Sequence, residues 1–425
     1  MKRKLKILIS AYACEPNKGS EPGVGWNWVN ELARQHEVWV VTRANNRDAI
    51  EAALTRRNIK NSHFVYHDLP EWSRFWKKGT FAIYPYYLLW HASLGAKLRK
   101  LHSEVGFDVL HHLTFAADWL PNFLSSQLDI PTVVGPLAGY ETADAIKKFI
   151  ALPHLVSHYL KVGMRQIFIR FRTKELRNFS LVISNNENYT RYYMKHIGVK
   201  RCINISTQGY SPSLHSSNIE PSDLLREQRR EKSLNITMGG RMKYWKGYDV
   251  AIRVFAELKR RGINFRATLI GSGASWYERR ILKSIERLSV SDCVDILKTL
   301  PRDIFLERLR SSNLFLYPTF YGSGDAIMLE AIMLNVPVVC FPSVGAKEIV
   351  GEDYPYMSKD FSVESLAEII VNFVEANQVF SELHRTILTQ QSLSRKIDLL
   401  TDAYRRLIQN GVSGIETRKG ETYAI

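Results

Sequence analysis

Residues 314–341 read LFLYPTFYGSGDAIMLEAIMLNVPVVCF, and their pattern decides the fold class. Two short apolar runs, Leu314–Tyr317 and Val336–Phe341, flank a helical pattern at Ile327–Leu334. Continuous apolar strands joined through a helix are typical of a parallel sheet that is buried on both faces. The stretch therefore predicts a strand–helix–strand unit.

The same alternation continues outward on both sides. In the second half it predicts strands and helices at Asn235–Gly239, Tyr248–Arg261, Arg266–Gly271, Trp276–Leu288 and Val294–Leu297. In the first half it predicts strands at Leu5–Ala11, Glu37–Thr42, Val109–Leu113, Thr132–Gly135 and Leu181–Ser184, with a helix at Val24–Gln35. This rhythm predicts two α/β halves, each with a parallel sheet that helices cover on both faces.

A polar, charged run from Ser211 to Ser233 interrupts the rhythm and indicates the domain boundary. We therefore expect a first domain at 1–207 and a second at 208–390. The helical pattern at Ser392–Ile408 and the polar tail form a third segment, 391–425. A chain of 425 residues has room for two to three domains of ordinary size.

The composition excludes several classes of protein. The chain is 45% hydrophobic and 24% charged, which argues against a disordered, collagenous or multi-span membrane protein. Lys and Arg number 58 against 42 Asp and Glu, and the net charge of +16 favours an anionic partner. The four cysteines form no C-x-x-C pair, so we expect reduced thiols and neither a metal knuckle nor a disulfide framework.

The N-terminus, MKRKLKILISAYAC, imitates a secretory signal. Its apolar run is short and ends in polar residues at Glu15–Gly19, so we interpret it as a buried first strand of a cytoplasmic protein.

Two segments concentrate basic and aromatic residues. Trp72–His102 carries six Lys or Arg and no acid, and Lys147–Arg177 carries eight against the single acid Glu175. Such segments suit an anionic membrane interface. The alternative is a solvated helix face above a core stripe. Single-stranded nucleic acid could use the same chemistry, but no RRM, KH or helix-turn-helix signature is present, and we expect no nucleic-acid partner.

The first candidate site is Met238–Tyr248, MGGRMKYWKGY, where a strand ends at a glycine pair. Gly240 precedes Arg241 and Lys246, two cations that such a loop can present to a diphosphate, Arg as a fork and Lys as a point charge. The alternative is an ordinary pair of surface bases.

The second candidate site is the loop between Tyr317 and the helix that carries Glu330. Gly322, Ser323 and Gly324 let the backbone approach a ligand, and free N–H groups at the helix start favour an anion. The Glu330 carboxylate could bind a ribose diol, as acidic residues do in other nucleotide folds. The alternative is that it only complements the helix dipole.

Together the two segments resemble the donor-binding half of the family 4 glycosyltransferases, which have the GT-B fold of two doubly wound parallel-sheet (Rossmann-like) domains that face a cleft. The resemblance also implies that the C-terminal helix packs back on the first domain. The resemblance implies that Arg241 and Lys246 bind the diphosphate of a nucleotide-sugar, and that Gly271 belongs to the family's glycine turn after a strand. It implies that Glu330 is the second Glu of a Glu-x7-Glu motif and holds the ribose.

One position departs from that motif, because Gly322 stands where the first Glu should hold the donor sugar. Ser323, Gly324 and Asp325 are the candidates to replace it. This departure leaves two points open: the identity of the donor sugar, and whether the protein has kept its transferase activity.

The first half resembles the family more loosely. Ile7–Trp28 is similar to its first strand–loop–helix, with Gly23 and Gly25 in a glycine loop near the diphosphate and the acceptor. Residues 108–112, DVLHH, resemble a strand that ends in the active-site histidine. The resemblance implies that His112, rather than His111, contacts the donor sugar. The alternative is a core histidine.

The resemblance implies a retaining transferase that moves a hexose from a UDP- or GDP-sugar to a lipid-linked glycan acceptor. The pathways implied are exopolysaccharide, capsule or lipopolysaccharide biosynthesis at the inner face of the cell membrane, without a metal or other cofactor. Several alternatives stay open: a sugar-nucleotide epimerase, a phosphorylase, for which no pyridoxal-binding lysine is evident, a non-catalytic sugar-nucleotide-binding protein, and a basic nucleic-acid-binding protein.

Overall fold

The computed structural model describes residues 3–57, 60–73, 82–137, 139, 144–149, 152–211, 233–320, 326–375 and 380–409. The chain divides into two compact units. The first unit comprises Met1–Gly139, Lys161–Thr207 and Leu393–Ile425, and the second comprises Tyr140–Leu160 and Gln208–Ser392.

The first unit contains a seven-stranded parallel sheet in the order β3-β2-β1-β4-β5-β6-β7. Its strands are β1 (Lys6–Ala11), β2 (Glu37–Arg43), β3 (Ser62–His67), β4 (Val109–Thr114), β5 (Thr132–Leu137), β6 (Leu181–Ser184) and β7 (Cys202–Asn204). All residues of β4, β5 and β6 are buried, as expected for central strands covered on both faces.

Helices alternate with these strands. They are α1 (Ser20–Ala33), α2 (Arg47–Arg57), α3 (Ile83–Ala92), α4 (Gly95–Val105), α5 (Leu152–Asn178) and α6 (Glu187–Tyr192). Asn186 caps α6, because its side chain accepts a hydrogen bond from the Tyr189 amide. Helix α5 extends over both units, since its residues up to Leu160 belong to the second and those from Lys161 to the first.

The second unit contains a five-stranded parallel sheet in the order β10-β9-β8-β11-β12. Its strands are β8 (Leu234–Gly239), β9 (Phe265–Ile270), β10 (Val294–Leu297), β11 (Leu314–Tyr317) and β12 (Val338–Cys340). The helices are α7 (Tyr248–Arg260), α8 (Ser275–Arg287), α9 (Arg302–Arg310), α10 (Ala326–Met333), α11 (Val344–Val350), α12 (Val363–Glu375) and α13 (Ser381–Gln390). The prediction of two parallel-sheet α/β domains is confirmed.

Residues 140–160 differ from the expected domain division, which placed all of 1–207 in the first domain. Ile146 is fully buried in the core of the second unit. The Phe149 and Phe320 ring centroids are 5.3 Å apart, and the His154 and Trp276 rings stack at 4.0 Å. Apolar and aromatic packing therefore assigns this segment to the second unit.

The last described helix, α14 (Leu393–Gln409), belongs to the first unit. Two buried histidines bond to it: the His36 Nε2 lies 2.9 Å from the Thr401 Oγ1, and the His111 Nδ1 lies 2.5 Å from the Tyr404 hydroxyl. Burial lowers the pKa of both imidazoles to about 4, so both are neutral at pH 7. Polar bonds as well as apolar packing thus attach α14 to the first unit.

The two basic aromatic segments have different environments. Tyr86, Tyr87 and Trp90 of the first segment are fully buried, whereas Trp72 and Tyr84 are exposed, and residues 74–81 lie outside the described residues. The second segment lies largely on α5, where many apolar side chains are exposed. Within the described residues, no helix combines the length and apolar character needed to cross a bilayer.

Candidate functional site

The strand order of the second unit determines where its loops can bind a ligand. From the central strand β8 the chain proceeds outward to β9 and β10, then returns to β11 on the other side. In open parallel sheets, ligands bind beyond the carboxyl ends of the strands at the point where the order reverses. In this sheet, that point lies between β8 and β11, and the loops that follow these strands hold both candidate motifs.

The loop after β8 is attached on one side to the loop after β9. The Gly240 amide donates to the Ile270 carbonyl over 3.0 Å, and the Met242 amide donates to the Ser272 carbonyl over 2.9 Å. Gly240 has a φ of 124°, a conformation that side chains disfavour. These bonds hold the backbone on either side of Arg241.

On its other side the loop packs against the chain after β11. A Cβ atom at Gly247 would lie 2.1 Å from the Pro318 carbonyl oxygen, so only glycine permits this approach. The Phe320 amide donates to the Trp245 carbonyl over 3.0 Å. The loop that carries both predicted cations is therefore attached to both neighbouring loops and is pre-organised for a ligand.

The two predicted cations occupy different environments within this loop. Arg241 is exposed, whereas Lys246 is partly buried and its Nζ lies 5.7 Å from the centroid of the Tyr317 ring at the end of β11. An Arg and a Lys at this edge can contact two oxygens of one diphosphate.

Gly271 follows β9 and has a packing role. A Cβ atom there would lie 2.0 Å from the Gly240 carbonyl oxygen, and the Gly271 amide donates to the Leu297 carbonyl over 2.9 Å. The Tyr248 hydroxyl donates to the Gly240 carbonyl over 2.8 Å. Because its amide is already bonded, the residue supports the shape of the Arg241 loop, and its contact with a donor stays a prediction.

Glu330 lies on α10, and its side chain is only 10% exposed. The carboxylate forms an ion pair with Arg302. Arg302 is the first residue of α9, which follows β10. Burial raises the pKa of the Glu330 carboxyl, and the Arg302 guanidinium opposes this effect. The ion pair orients the carboxylate and favours its charged form, the form that accepts hydrogen bonds from a diol.

The sequence analysis did not select Arg302. One signal was available: a cation in the first turn of a helix is disfavoured by the helix dipole, which suggests another role for that residue. The remaining predicted residues of this site, Gly322, Ser323, Gly324 and Asp325, lie outside the described residues.

In the first unit, the predicted glycine loop is instead part of a helix. Gly23 and Gly25 are the fourth and sixth residues of α1, which begins at Ser20. A Cβ atom at Gly23 would lie 2.0 Å from the Lys18 carbonyl oxygen, and one at Gly25 would lie 2.4 Å from the Ala13 carbonyl oxygen. Tight packing of α1 on the preceding loop accounts for both glycines, and a donor contact stays a prediction.

His112 lies on β4, next to the reversal point of the first sheet, and is fully buried. Its Nε2 is 2.8 Å from the Tyr87 hydroxyl and its Nδ1 is 3.4 Å from the Ser10 hydroxyl. Burial, reinforced by the charge of Arg172, holds the pKa of His112 well below its ordinary value. The ring is therefore neutral, and its contact with a sugar stays a prediction.

Within the described residues, no group of three or more His, Cys, Asp or Glu side chains could hold a metal ion. Cys14, Cys202, Cys293 and Cys340 are all free thiols. Arg241, Lys246 and Arg302 are basic side chains in the described part of the site.

Comparison with known proteins finds a family match that lies within the second unit. Residues 223–388 match the model of the family described as glycosyl transferases group 1. The matched range contains Gly240, Arg241, Lys246, Gly271 and Glu330, and also Arg302.

The chain is similar to an Escherichia coli protein named as a colanic acid biosynthesis glycosyltransferase, WcaL. The two are 31% identical over 126 residues, which is 28% of this chain and 30% of WcaL. The chain thus matches less than a third of the length of this relative.

Two solved structures resemble both units together. Sucrose-phosphate synthase from Thermosynechococcus elongatus has a TM-score of 0.67 at 16% identity and covers 96% of this chain and 100% of its own. Anabaena HepE in complex with UDP has a TM-score of 0.60 at 17% identity, with coverage of 95% and 100%. At these identities the likeness shows the fold, which is GT-B.

Proposed function

We propose that this protein is a nucleotide-sugar-dependent glycosyltransferase of cell-surface polysaccharide biosynthesis. One observation supports the proposal above all. A pre-organised loop with Arg241 and Lys246 and a buried, ion-paired Glu330 follow the two strands that flank the reversal point of the second sheet. The family match covers these residues, and a chain similar to this one is named for polysaccharide synthesis.

In the proposed complex, Arg241 and Lys246 contact the diphosphate of the donor. The bond between the anomeric carbon and the phosphate oxygen breaks, and the nucleoside diphosphate leaves with increased negative charge. Fixed cations stabilise that charge at no reorganisation cost, and removal of one such group typically lowers turnover by about 10². Glu330 accepts hydrogen bonds from the two ribose hydroxyls.

We propose that transfer retains the anomeric configuration, with the acceptor attacking from the side that the diphosphate leaves. The acceptor hydroxyl forms the new glycosidic bond and passes its proton to the departing phosphate oxygen. This step needs neither a metal nor a covalent sugar–enzyme intermediate. His112 and the loop of Ser323, Gly324 and Asp325 are the proposed contacts to the sugar.

The proposed donor is a UDP- or GDP-sugar, and HepE is a structural neighbour with UDP bound. The proposed acceptor is a lipid-linked glycan at the inner face of the cell membrane. The excess of 58 basic over 42 acidic residues is consistent with an anionic bilayer. We propose no nucleic-acid partner.

The experiment is a thermal-shift series with UDP, GDP, ADP, CMP, NAD and a short oligonucleotide. It compares the wild type with Glu330→Gln, which is nearly isosteric. A ligand present at 100 times its Kd stabilises the folded protein by about 2.7 kcal/mol, which a melting curve resolves. We expect a shift with UDP or GDP that Glu330→Gln reduces.

Sugar transfer is then assayed with the sugar nucleotides of the base that binds. Nucleotide binding without any transfer would favour the alternative of a non-catalytic binding protein, to which the replacement of the first motif Glu by Gly322 points. A shift with the oligonucleotide alone would overturn the proposal.

A further inference from the structure

The part of α5 that belongs to the first unit, Lys161–Asn178, carries an apolar stripe on its solvent side. Met164, Ile167, Phe168 and Phe171 are 52%, 57%, 50% and 81% exposed. Their spacing of three and four residues places them on one face of the helix. We call these four residues the α5 stripe.

The α5 stripe is separate from the helix face that packs on the first unit. That buried face consists of Arg165, Ile169, Arg172 and Leu176. Ile169 and Leu176 belong to the core cluster around β5 and β6, and Arg165 forms an ion pair with Asp118. None of the four residues of the α5 stripe belongs to this core cluster.

The apolar surface continues beyond the helix. A groove of 460 Å³ lies beside α5, with Trp119, Phe123, Phe168 and Phe171 among its lining residues. Phe123 is itself 43% exposed. Isolated exposed apolar residues are common, but a contiguous cluster indicates a binding surface.

The exposed charged side chains on this stretch of α5 are all basic. Lys161, Arg170, Lys174 and Arg177 are exposed on the same stretch of helix. Its single acid, Glu175, is bonded to Arg172 and accepts hydrogen bonds from the Asn122 and Phe123 amides. Apolar side chains flanked by exposed cations complement a surface that is apolar beneath and anionic above.

We propose that the α5 stripe, with its flanking cations, inserts into the headgroup region of an anionic lipid bilayer. Amphipathic helices of this composition lie in the membrane plane and bind by apolar burial together with attraction to anionic lipid. The inference deepens the proposed function and rests on it in one respect, since a lipid-linked acceptor would lie in the same bilayer. It assigns the membrane contact to this segment, whereas Tyr86, Tyr87 and Trp90 of Trp72–His102 are buried.

Other occupants fit the surface less well. In a symmetric pair of chains the cations of both copies would be brought together, which is unfavourable. The phosphates of a nucleic acid would pair with the basic side chains, but they would place charge beside the apolar side chains of Met164 and Ile167.

The test is flotation of the full chain with vesicles of phosphatidylcholine alone or mixed with phosphatidylglycerol, at low and high salt. One variant, Phe168→Ser with Phe171→Ser, removes the apolar part. A second, Arg170→Gln with Lys174→Gln, removes two charges. The matched controls lie on the second unit: Leu282→Ser with Ile304→Ser, at residues that are 49% and 46% exposed, and Arg279→Gln with Lys283→Gln, at two exposed bases on α8.

We expect the wild type and both controls to float with the anionic vesicles only, and less at high salt. Since each base near an anionic surface changes affinity by about five-fold, the loss of two should weaken binding by on the order of ten-fold or more. The phenylalanine variant should lose flotation. The melting temperature without ligand should stay near that of the wild type in all four variants, which shows that they fold.

Absence of the wild type from anionic vesicles, or unchanged flotation of both stripe variants, would overturn the inference. Two other results would also overturn it. If the two α5 variants abolish self-association without lipid and leave flotation unchanged, the surface binds a second copy of the chain. If they abolish oligonucleotide binding and leave flotation unchanged, it binds nucleic acid. These results are independent of the nucleotide shift, so failure of the membrane contact can be distinguished from failure of the proposed function.

Discussion

The Arg302 guanidinium donates a hydrogen bond to the Glu330 carboxylate across 28 positions of sequence. Their helices follow strands on opposite sides of the central strand β8: α9 follows the edge strand β10, and α10 follows β11. The carboxylate is buried and the guanidinium is 40% exposed. Burial of the carboxyl raises its pKa, and the neighbouring cation opposes that rise.

The first prediction concerns this pair. Burial raises the pKa of Glu330, and Arg302 opposes the rise, so Arg302→Gln should raise that pKa further. In the proposed complex the ionised carboxylate binds the ribose, so nucleotide affinity should fall as pH decreases through the pKa of Glu330. In Arg302→Gln this fall should occur at higher pH. The measurement is the Kd of the nucleotide against pH.

The control for this variant is Arg308→Gln, at an exposed base on the same helix. A 2′,3′-dideoxynucleotide provides a second control, because it lacks the hydroxyls and should bind with little dependence on either residue. An unchanged pH profile in Arg302→Gln would show that Arg302 does not control the charge of Glu330.

The second prediction concerns the cations of the loop after β8. Arg241→Ala and Lys246→Ala should each lower kcat by about 10² or more while the melting temperature stays near that of the wild type. The comparison variant is Lys243→Ala in the same loop, whose Nζ lies 6.0 Å from the Trp245 ring centroid. Turnover at the wild-type rate in both Arg241→Ala and Lys246→Ala would remove the diphosphate assignment.

The third prediction concerns His112. Tyr87→Phe removes the hydroxyl that lies 2.8 Å from the His112 Nε2 and leaves a buried polar atom unsatisfied. Such a loss costs about 1–3 kcal/mol, so urea unfolding should occur at a lower midpoint. If His112 also contacts the donor sugar, His112→Gln should lower kcat by more than Tyr87→Phe does at equal nucleotide affinity. Equal kcat in the two variants would restrict His112 to a structural role.

The fourth prediction is acid sensitivity of the attachment of α14. His36 and His111 have a folded pKa of about 4 against an ordinary value of 6.5, so the unfolded chain binds more protons between these limits. Stability should therefore be complete above pH 6.5 and decrease toward pH 4, by at most about 1.4 kcal/mol per pH unit for each histidine. Equilibrium unfolding at several pH values measures the slope.

His36→Gln should reduce this slope, whereas His196→Gln, at an exposed histidine, should leave it unchanged. A stability that is constant from pH 6.5 to pH 4.5 would contradict the assignment of neutral, buried imidazoles.

The local pattern of the sequence predicted much of the second unit. The strands Val294–Leu297 and Leu314–Tyr317 have the bounds expected, because short, mainly apolar runs between polar residues favour a strand over a longer helix. The strands Ser62–His67 and Cys202–Asn204 were missed, since the first is half polar and the second has only three residues. The glycines at 23 and 25 were correctly noticed but placed in a loop, because glycine is less common inside a helix.

The sequence pattern does not show how deeply a side chain is buried or which residues distant in the chain contact it. Sequence reasoning selected His112 at a strand end but could not tell that Tyr87 and Ser10 enclose it. It selected Glu330 but not Arg302, and it joined residues 140–160 to the wrong domain.

By itself, the sequence determined the parallel α/β class and the positions of the glycine-rich, basic and acidic segments, because these follow from the order of apolar runs and from local backbone freedom. Only the tertiary structure decided that Arg302 pairs with Glu330, that Gly271 shapes the Arg241 loop, and that the α5 stripe is exposed while Tyr86, Tyr87 and Trp90 are buried. These relationships join residues that are distant in the chain, and they depend on strand order and burial, which no local pattern encodes.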